Sequence, residues 1–227
     1  MREINLLGLN LQDYTLREKM RMIDSYLGHG ALGTVGFVST KTLMQAGEDA
    51  AQKEWLESTD VVEYCDADIL RAAGITARSR LKEIENNSFL NELMRRIARE
   101  RRTVYLIADT QESMQILESD LEDGQVQIAG KYILQEEGVD VKADAVINDI
   151  NDKVPNVVLT LSAYPLQAAF VFHNKSRINA DLWVGLPKDR PVSGEGGKKQ
   201  HLFVRKLQRK LFQRKVHQYE NQEKTEN

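Results

Sequence analysis

Residues 61–68 read Val-Val-Glu-Tyr-Cys-Asp-Ala-Asp, a β-branched run that leads into two carboxylates and then into a predicted short helix over residues 69–73. Turns from strand to helix lie at the carboxyl ends of the strands in open α/β sheets, which is where such folds bind ligands. Asp66 and Asp68 are therefore candidate working acids. Because Asp also caps helices by accepting the free N–H groups of a first turn, this stretch alone leaves both interpretations open.

Length and composition indicate a globular protein of a reducing compartment. The chain has 227 residues, of which 41% are hydrophobic, enough for the core of one domain with an appendage. Its one cysteine, Cys65, excludes an internal disulfide framework. The four histidines are scattered, so we expect no metal site. The first residues are too short an apolar run for a signal peptide, and no window approaches the ~18 apolar residues of a membrane span. We therefore expect a cytoplasmic protein.

Charge is distributed unevenly along the chain. Nine of the 31 Lys/Arg residues, but only three of the 34 Asp/Glu residues, lie from Lys198 onward. The body is therefore acidic and the tail basic. The stretch that begins at Lys198 and ends at Lys215 has apolar residues at helical spacing, namely Phe203, Val204, Leu207 and Leu211. A narrow apolar stripe beside a broad cationic face is typical of a helix lying on an anionic membrane. Binding to nucleic acid or to an acidic protein, or a merely solvated helix, are the alternatives.

Hydrophobic patterns alternate between strands and helices along the chain. In addition to the strand that begins at residue 61, we predict strands over residues 4–11, 34–38, 103–108, 126–129, 156–162 and 182–185. We predict helices over residues 15–27, 41–56, 69–73, 88–101, 112–121, 142–154 and 166–173, with a basic irregular stretch at 76–85. This rhythm predicts an α/β fold with a doubly wound, mostly parallel, Rossmann-like sheet and helices on both faces.

The same patterns divide the chain into three parts. The α/β domain occupies residues 1–187, and residues 188–199 are predicted to form a flexible, glycine-rich linker. Residues 200–227 are predicted to form the basic amphipathic helical tail, with a disordered end from Tyr219 onward.

Polar side chains follow four of the predicted strands. They are Ser39 with Thr40, Asp66 with Asp68, Asp109 with Thr110, and Ser162 with Gln167. The chain has no GxGxxG, Walker A or GxSxG motif, which removes the main support for a dinucleotide oxidoreductase, a P-loop NTPase or an α/β-hydrolase. Hydroxyls, an amide, carboxylates and a neighbouring basic stretch suit a phosphorylated or nucleotide-linked sugar. The residues alone therefore indicate an α/β ligand-binding domain.

The order of the sequence motifs carries more information. The chain reads NLLGLNLQDYTLREKMRMI, VGFVSTKTLMQAG, TDVVEYCDADIL, ARSRLKEIENNSFLNELM, TVYLIADTQES and NVVLTLSAYPLQ, in that order. This succession resembles the WecG/TagA/CpsF family of bacterial glycosyltransferases over residues 4–187. The chain departs from the family at several motifs: Ser39-Thr40 replaces Asn-Pro, residues 65–67 read Cys-Asp-Ala for Pro-Asp-Gly, and residues 165–168 read Pro-Leu-Gln-Ala for Pro-Lys-Gln-Glu.

The resemblance implies an inverting, metal-independent transfer of an N-acetylhexosamine, such as N-acetylmannosamine, from a UDP-sugar to a polyprenyl-diphosphate-linked sugar. In the family this reaction serves teichoic acid, capsule or other cell-surface polysaccharide synthesis, and it implies no cofactor. The family's proposed base is an acidic residue that matches Asp66, with Asp68 as the alternative. The changed motifs favour a second hypothesis, a non-catalytic relative that binds sugar nucleotides or regulates polymer assembly.

Other residues are candidates for substrate binding. Arg78 and Arg80 would meet charge on the leaving diphosphate, and hydrogen bonds to substrate would come from Gln167, Ser39, Thr40 and Asp109. Each also has a structural interpretation. The two arginines are ordinary loop charges in that view, the hydroxyls and Asp109 are helix caps, and Cys65 is a small buried hydrophobe.

The expected partners follow from these hypotheses. They are the UDP-sugar donor, the polyprenyl-diphosphate-linked acceptor and, through residues 198–215, the anionic inner face of the cell membrane. This gives a cytoplasmic protein that is peripheral at the membrane. We expect no nucleic acid partner, because that reading rests on the tail alone. The oligomeric state stays open, a homo-oligomer included.

Overall fold

The computed structural model describes residues 2–122, 126–134, 139–187, 211–219 and 221–222. The helices and strands of the domain are, in chain order, β1 (Arg2–Leu6), β2 (Leu9–Asp13), α1 (Leu16–Tyr26), β3 (Gly33–Val38), α2 (Thr40–Ala46), α3 (Ala50–Glu57), β4 (Val61–Tyr64), α4 (Ala67–Ala72), α5 (Arg78–Glu85), α6 (Ser88–Arg99), β5 (Thr103–Ala108), α7 (Gln111–Glu122), β6 (Gln127–Ile133), α8 (Val139–Lys153), β7 (Val157–Leu161), α9 (Tyr164–Asn174) and β8 (Leu182–Leu186). A short 3-10 turn, Lys175–Arg177, follows α9.

Among the described residues, six strands form one parallel sheet in the order β4-β3-β8-β7-β5-β6. The central strands β7 and β8 are buried along their whole length. Strands with two apolar faces are what a parallel sheet needs when helices cover both sides. The predicted doubly wound, Rossmann-like α/β fold is therefore confirmed.

Alternate residues of a strand serve opposite faces of the sheet. In β5, Val104 and Leu106 pack in the core shared with α1, α6 and α7, whereas Tyr105 and Ile107 pack in the core shared with α8 and α9. A third core lies at the β4 end of the sheet and contains residues of β1, β2 and α2 through α5. The helices thus enclose the sheet and leave its two strand-end edges for loops.

The predicted single strand over residues 4–11 is wrong, because this stretch is a hairpin. β1 and β2 pair antiparallel around a two-residue turn, Leu7-Gly8, whose φ angles of 55° and 72° lie in the left-handed region. Two left-handed residues are the signature of the tight turn that suits strand twist. The apolar alternation continues through both arms, so the turn is marked in the sequence only by Gly8.

Two further predictions, the single helix over residues 41–56 and the irregular stretch over 76–85, are wrong in part. The helix predicted over residues 41–56 is interrupted, because Asp49 caps the second half by accepting the N–H groups of Ala51 and Gln52 at 2.9 and 3.1 Å. Residues 76–85 are not irregular throughout: they contain α5, in which Arg80 pairs with Glu83 one turn away. Elsewhere the elements lie where predicted, with shifted ends.

The tail contains a helix over residues 211–219, which we call the C-terminal helix. Phe212 and Val216 are buried in the core at the β4 end, Tyr219 packs against Gly8 of the hairpin turn, and Lys215 pairs with Glu48. The disorder predicted from Tyr219 onward is therefore wrong for Tyr219 itself. The predicted linker, 188–199, lies outside the described residues, as do Phe203, Val204 and Leu207 of the predicted apolar stripe.

Candidate functional site

The carboxyl ends of all six parallel strands lie on one edge of the sheet. Ser39 and Thr40 follow β3, Asp66 follows β4, Asp109 follows β5, and Ser162 follows β7. The sheet thus gathers on one edge the polar residues that the sequence singled out, although not all of them in contact.

Asp66 stands at the N-cap position of α4, yet it does not cap that helix. It has extended φ and ψ angles of −122° and 124°, and its side chain makes no capping hydrogen bond. Its Oδ2 instead accepts the backbone N–H of Thr40 at 2.9 Å. Because an N–H group at the start of α2 favours a negative partner, Thr40 fixes the carboxylate across the gap between β4 and β3. Asp66 is only half-buried, so part of the residue is exposed to solvent.

Asp68, the alternative acid, has a different role in the fold. It lies in the first turn of α4, and its Oδ1 pairs with Nη1 of Arg71 at 3.0 Å. A surface pair one turn apart on a short helix is an ordinary stabilising contact. The geometry therefore favours Asp66 over Asp68 as the carboxylate of the site.

Ser39 is a helix cap, as one of its two interpretations proposed. Its Oγ accepts the N–H of Thr42 at 3.2 Å and lies 3.0 Å from Thr42 Oγ1. Thr40 is buried and contributes its backbone N–H to Asp66. The turn after β3 thus holds the carboxylate through the Thr40 backbone, while the Ser39 hydroxyl caps α2.

Gln167 lies over β8, on the far side of β3 from Asp66. Its Nε2 donates to the carbonyl of Leu186 at 3.3 Å, and its Oε1 is buried without a partner among the described residues. The order β4-β3-β8 separates the strands of Asp66 and of Leu186 by two spacings, which is about 10 Å. Asp66 and Thr40, which are in contact, therefore lie with Gln167 on the part of the edge that β4, β3 and β8 form, toward the β4 end of the sheet.

Asp109 lies farther along the same edge. β5 is two positions beyond β8 in the sheet, or about 10 Å at the usual strand spacing. Asp109 Oδ1 accepts the Ser113 hydroxyl at 2.8 Å, and Thr110 Oγ1 accepts the N–H of Ser113 at 3.1 Å. Thr110 therefore caps α7, and Asp109 is held by the Ser113 side chain in the first turn of that helix.

The two candidate arginines differ in how much of their charge is already neutralised. Arg80 donates to Asp13 at 2.5 Å, to the Tyr14 carbonyl at 2.9 Å and to Glu83. Burial opposes its charge, but the hydrogen bond and charge of Asp13, with Glu83, raise the pKa of Arg80. Arg78, at the start of α5, is exposed, and no described residue pairs with it. Arg80 thus joins α5 to the hairpin, and Arg78 is the more available cation.

A buried ion pair lies next to the site, and we did not predict it. Lys19 of α1 contacts Glu63 of β4, with side chains only 1% and 5% exposed. Glu63 could have been found, because a carboxylate inside an apolar strand signals a buried partner. Beside it, burial and the charges of Asp13 and Glu63 raise the pKa of Tyr64, so its hydroxyl stays neutral and donates to the Gln12 carbonyl at 3.3 Å.

The described residues contain neither a ready metal site nor a helix that could span a membrane. No group of three His, Cys, Asp or Glu side chains in this part of the chain is arranged to hold a metal ion. None of the helices in the same residues is both long enough and apolar enough to cross a bilayer.

Comparisons with curated proteins and with protein-family models gave different results. No curated protein matches the chain. The model of the glycosyl transferase WecG/TagA/CpsF family matches residues 4–187, which is most of the chain and includes every element of the sheet. The match agrees with the resemblance found in the motifs and with the fold. This protein belongs to the WecG/TagA/CpsF family of glycosyl transferases, which suggests a role in cell-surface polysaccharide synthesis.

Proposed function

We propose that this protein transfers an N-acetylhexosamine, such as N-acetylmannosamine, from a UDP-sugar to a polyprenyl-diphosphate-linked sugar, with inversion and without a metal. Family membership supports glycosyl transfer in general. The donor, the acceptor and the stereochemistry come from the resemblance to the family. The observation that carries it is the Asp66 carboxylate, which faces the turn after β3 instead of capping its own helix.

Asp66 would act as the general base. The acceptor hydroxyl attacks the anomeric carbon and loses its proton to the Asp66 carboxylate, while the bond from that carbon to the UDP oxygen breaks. A base in hydrogen-bond reach typically contributes about 10²–10⁴-fold to the rate. The hydrogen bond from Thr40 supports this role, because it holds the carboxylate in one orientation as the hydroxyl approaches.

The substrate-binding residues are assigned by their place on the edge. The turn of Ser39 and Thr40, and beyond it Gln167, lie to one side of the proposed base along the edge and would hold the sugar. Asp109, farther along the same edge, would contact the other end of so long a ligand. Exposed Arg78 would meet the charge of the leaving diphosphate, whereas we assign Arg80 to the hairpin because two carboxylates already engage it.

The tail would bring the enzyme to its lipid-linked acceptor. Residues 198–215 are strongly basic, and each cation near an anionic surface contributes about 1 kcal/mol. Leu211 is 46% exposed, whereas Phe212 and Val216 are buried against the domain. The membrane contact would therefore use the cationic side of the tail and Leu211. We place the protein in the cytoplasm, peripheral at the inner face of the membrane.

Turnover by the purified full chain tests the proposal. We expect a panel of UDP-N-acetylhexosamines with a short-chain, diphosphate-linked acceptor to give one product that carries a single added hexosamine of inverted configuration. Product with one donor and none with the others would also name the sugar. Absence of product with every donor would contradict the proposed activity.

The residues that replace family motifs support a second candidate function, that of a non-catalytic relative. Ala67 stands where the family has the glycine of Pro-Asp-Gly, and Leu166 and Ala168 stand where it has Lys and Glu. A non-catalytic relative would have lost these side chains and kept the fold. Binding of UDP-sugars in calorimetry without turnover would favour that function, and measured transfer would exclude it.

A further inference from the structure

The Gln167 side chain rests on a strand position that has no side chain of its own. A Cβ atom built on Gly185 of β8 would lie 2.9 Å from Gln167 Oε1 and 3.2 Å from its Cδ. Real Cβ contacts are almost never so close, so the carboxamide occupies the space that any other residue at Gly185 would fill. A glycine inside a strand often marks such a close approach.

The carboxamide is held in one orientation. Its Nε2 is committed to the Leu186 carbonyl at 3.3 Å, one residue beyond Gly185 and at the carboxyl end of β8. Gln167 is only 5% exposed, and no described residue donates to its Oε1. A buried acceptor without a donor is unfavourable, so packing on Gly185 and the bond to Leu186 must keep it there.

We propose that Gly185 is a positioning residue for Gln167: its bare backbone seats the carboxamide at the sheet edge with Oε1 buried and unpaired among the described residues, as the acceptor that an O–H or N–H group of the substrate satisfies on binding. This rests on the proposed function for what Gln167 binds, but not for how Gln167 is held. The chain offers a matched control in Gly36 of β3, which pairs in register with Gly185. A Cβ on Gly36 would meet Thr59 Cγ2 at 3.2 Å.

A double-mutant cycle on transfer tests the coupling. We expect Gly185→Ala and Gln167→Ala each to lower kcat/KM roughly tenfold, the worth of about one hydrogen bond. The double variant should be no worse than either single variant, because Gly185 acts through Gln167. Gly36→Ala should change kcat/KM less than Gly185→Ala. Additive losses in the double variant, or an unaffected Gly185→Ala enzyme, would overturn the proposal.

Two readouts do not depend on activity. The side-chain amide resonances of Gln167, identified by their loss in Gln167→Ala, should shift and exchange faster with solvent in Gly185→Ala but not in Gly36→Ala. If Gly185→Ala folds poorly, the double variant should have a higher unfolding midpoint than Gly185→Ala alone. Removing the glutamine side chain relieves its close contact with the new Cβ atom at position 185.

These readouts separate the two proposals. If the wild-type protein transfers no sugar, the proposed function fails, and the amide resonances still decide the role of Gly185. Unchanged resonances in Gly185→Ala, or a double variant less stable than the single one, would refute that role whatever the activity.

Discussion

The ion pair of Lys19 and Glu63 is the most deeply buried charge contact near the site. Lys19 Nζ also lies 5.7 Å from the ring centroids of Tyr64 and Phe89. Such a pair offsets the cost of removing two charges from water, and removing one partner leaves the other uncompensated. The pair fixes α1 against β4, the strand that ends at Asp66.

Removing the cation should therefore destabilise the protein strongly. We expect Lys19→Met to lower the free energy of unfolding by about 3–5 kcal/mol, since Glu63 stays buried without a partner, and Glu63→Gln in the same chain to recover part of the loss. Urea unfolding followed by circular dichroism measures both. The control is Arg95→Met, which removes an exposed pair with Glu92 and should cost less than about 1 kcal/mol. Equal losses in the two single variants would contradict this interpretation.

Asp60 links β4, β3 and the turn after α9 at the amino-end edge of the sheet, opposite the candidate site. It precedes β4, and its Oδ2 accepts the N–H and hydroxyl of Thr34 in β3 at 2.8 and 2.7 Å. The same oxygen also accepts a hydrogen bond at 2.7 Å from Nζ of Lys175, which follows α9. Burial alone would raise the pKa of Asp60, but the hydrogen bonds from Lys175 and Thr34 outweigh it and lower the pKa.

This lowered pKa predicts a pH dependence of stability. The contribution of Asp60 is fully present above the unfolded-state pKa of about 3.9 and is lost as the pH falls through the lower folded-state value. We expect Asp60→Asn to flatten the fall in unfolding free energy below about pH 4, measured by urea unfolding at a series of pH values. If the unfolding free energy of Asp60→Asn falls below about pH 4 as steeply as that of the wild-type protein, the stabilising role of the Asp60 contacts is contradicted.

The C-terminal helix docks on the domain through Phe212 and Val216. Phe212 is fully buried, and removing such a ring typically costs about 3–5 kcal/mol. In proteins most of the stability of a helix comes from the packing of its apolar face. We therefore expect Phe212→Ala to abolish hydrogen-exchange protection over residues 211–219 while the sheet stays protected. Arg214→Ala, at an exposed position of the same helix, should leave it protected. Full protection in Phe212→Ala would show that other contacts hold the helix.

The sheet was predictable from the sequence because its strands are local apolar runs. Residues 103–108 and 156–162 show this most clearly, since a buried parallel strand needs no partner to be recognised. The hairpin was missed because apolar alternation runs through its turn, and α5 was missed because charged residues dominate its pattern.

The candidate site was only partly predictable for a related reason. Sequence order placed Asp66 and Gln167 at strand ends, but whether Asp66 caps α4 depends on Thr40, which is 26 residues away. The availability of Arg80 depends likewise on Asp13, 67 residues earlier. Such contacts are set by tertiary packing, and a single sequence carries no local signal for them.

The proposed function rests on the Asp66 carboxylate, and the amide variant of this residue tests it most directly. Asn at this position can still accept the Thr40 N–H through its carbonyl oxygen but cannot take a proton at neutral pH. We expect Asp66→Asn to lower kcat for hexosamine transfer by about 10²–10⁴-fold, with UDP-sugar binding retained in calorimetry, and Asp68→Asn to stay near the wild-type rate. Undiminished turnover in Asp66→Asn would contradict the role of Asp66 as the base.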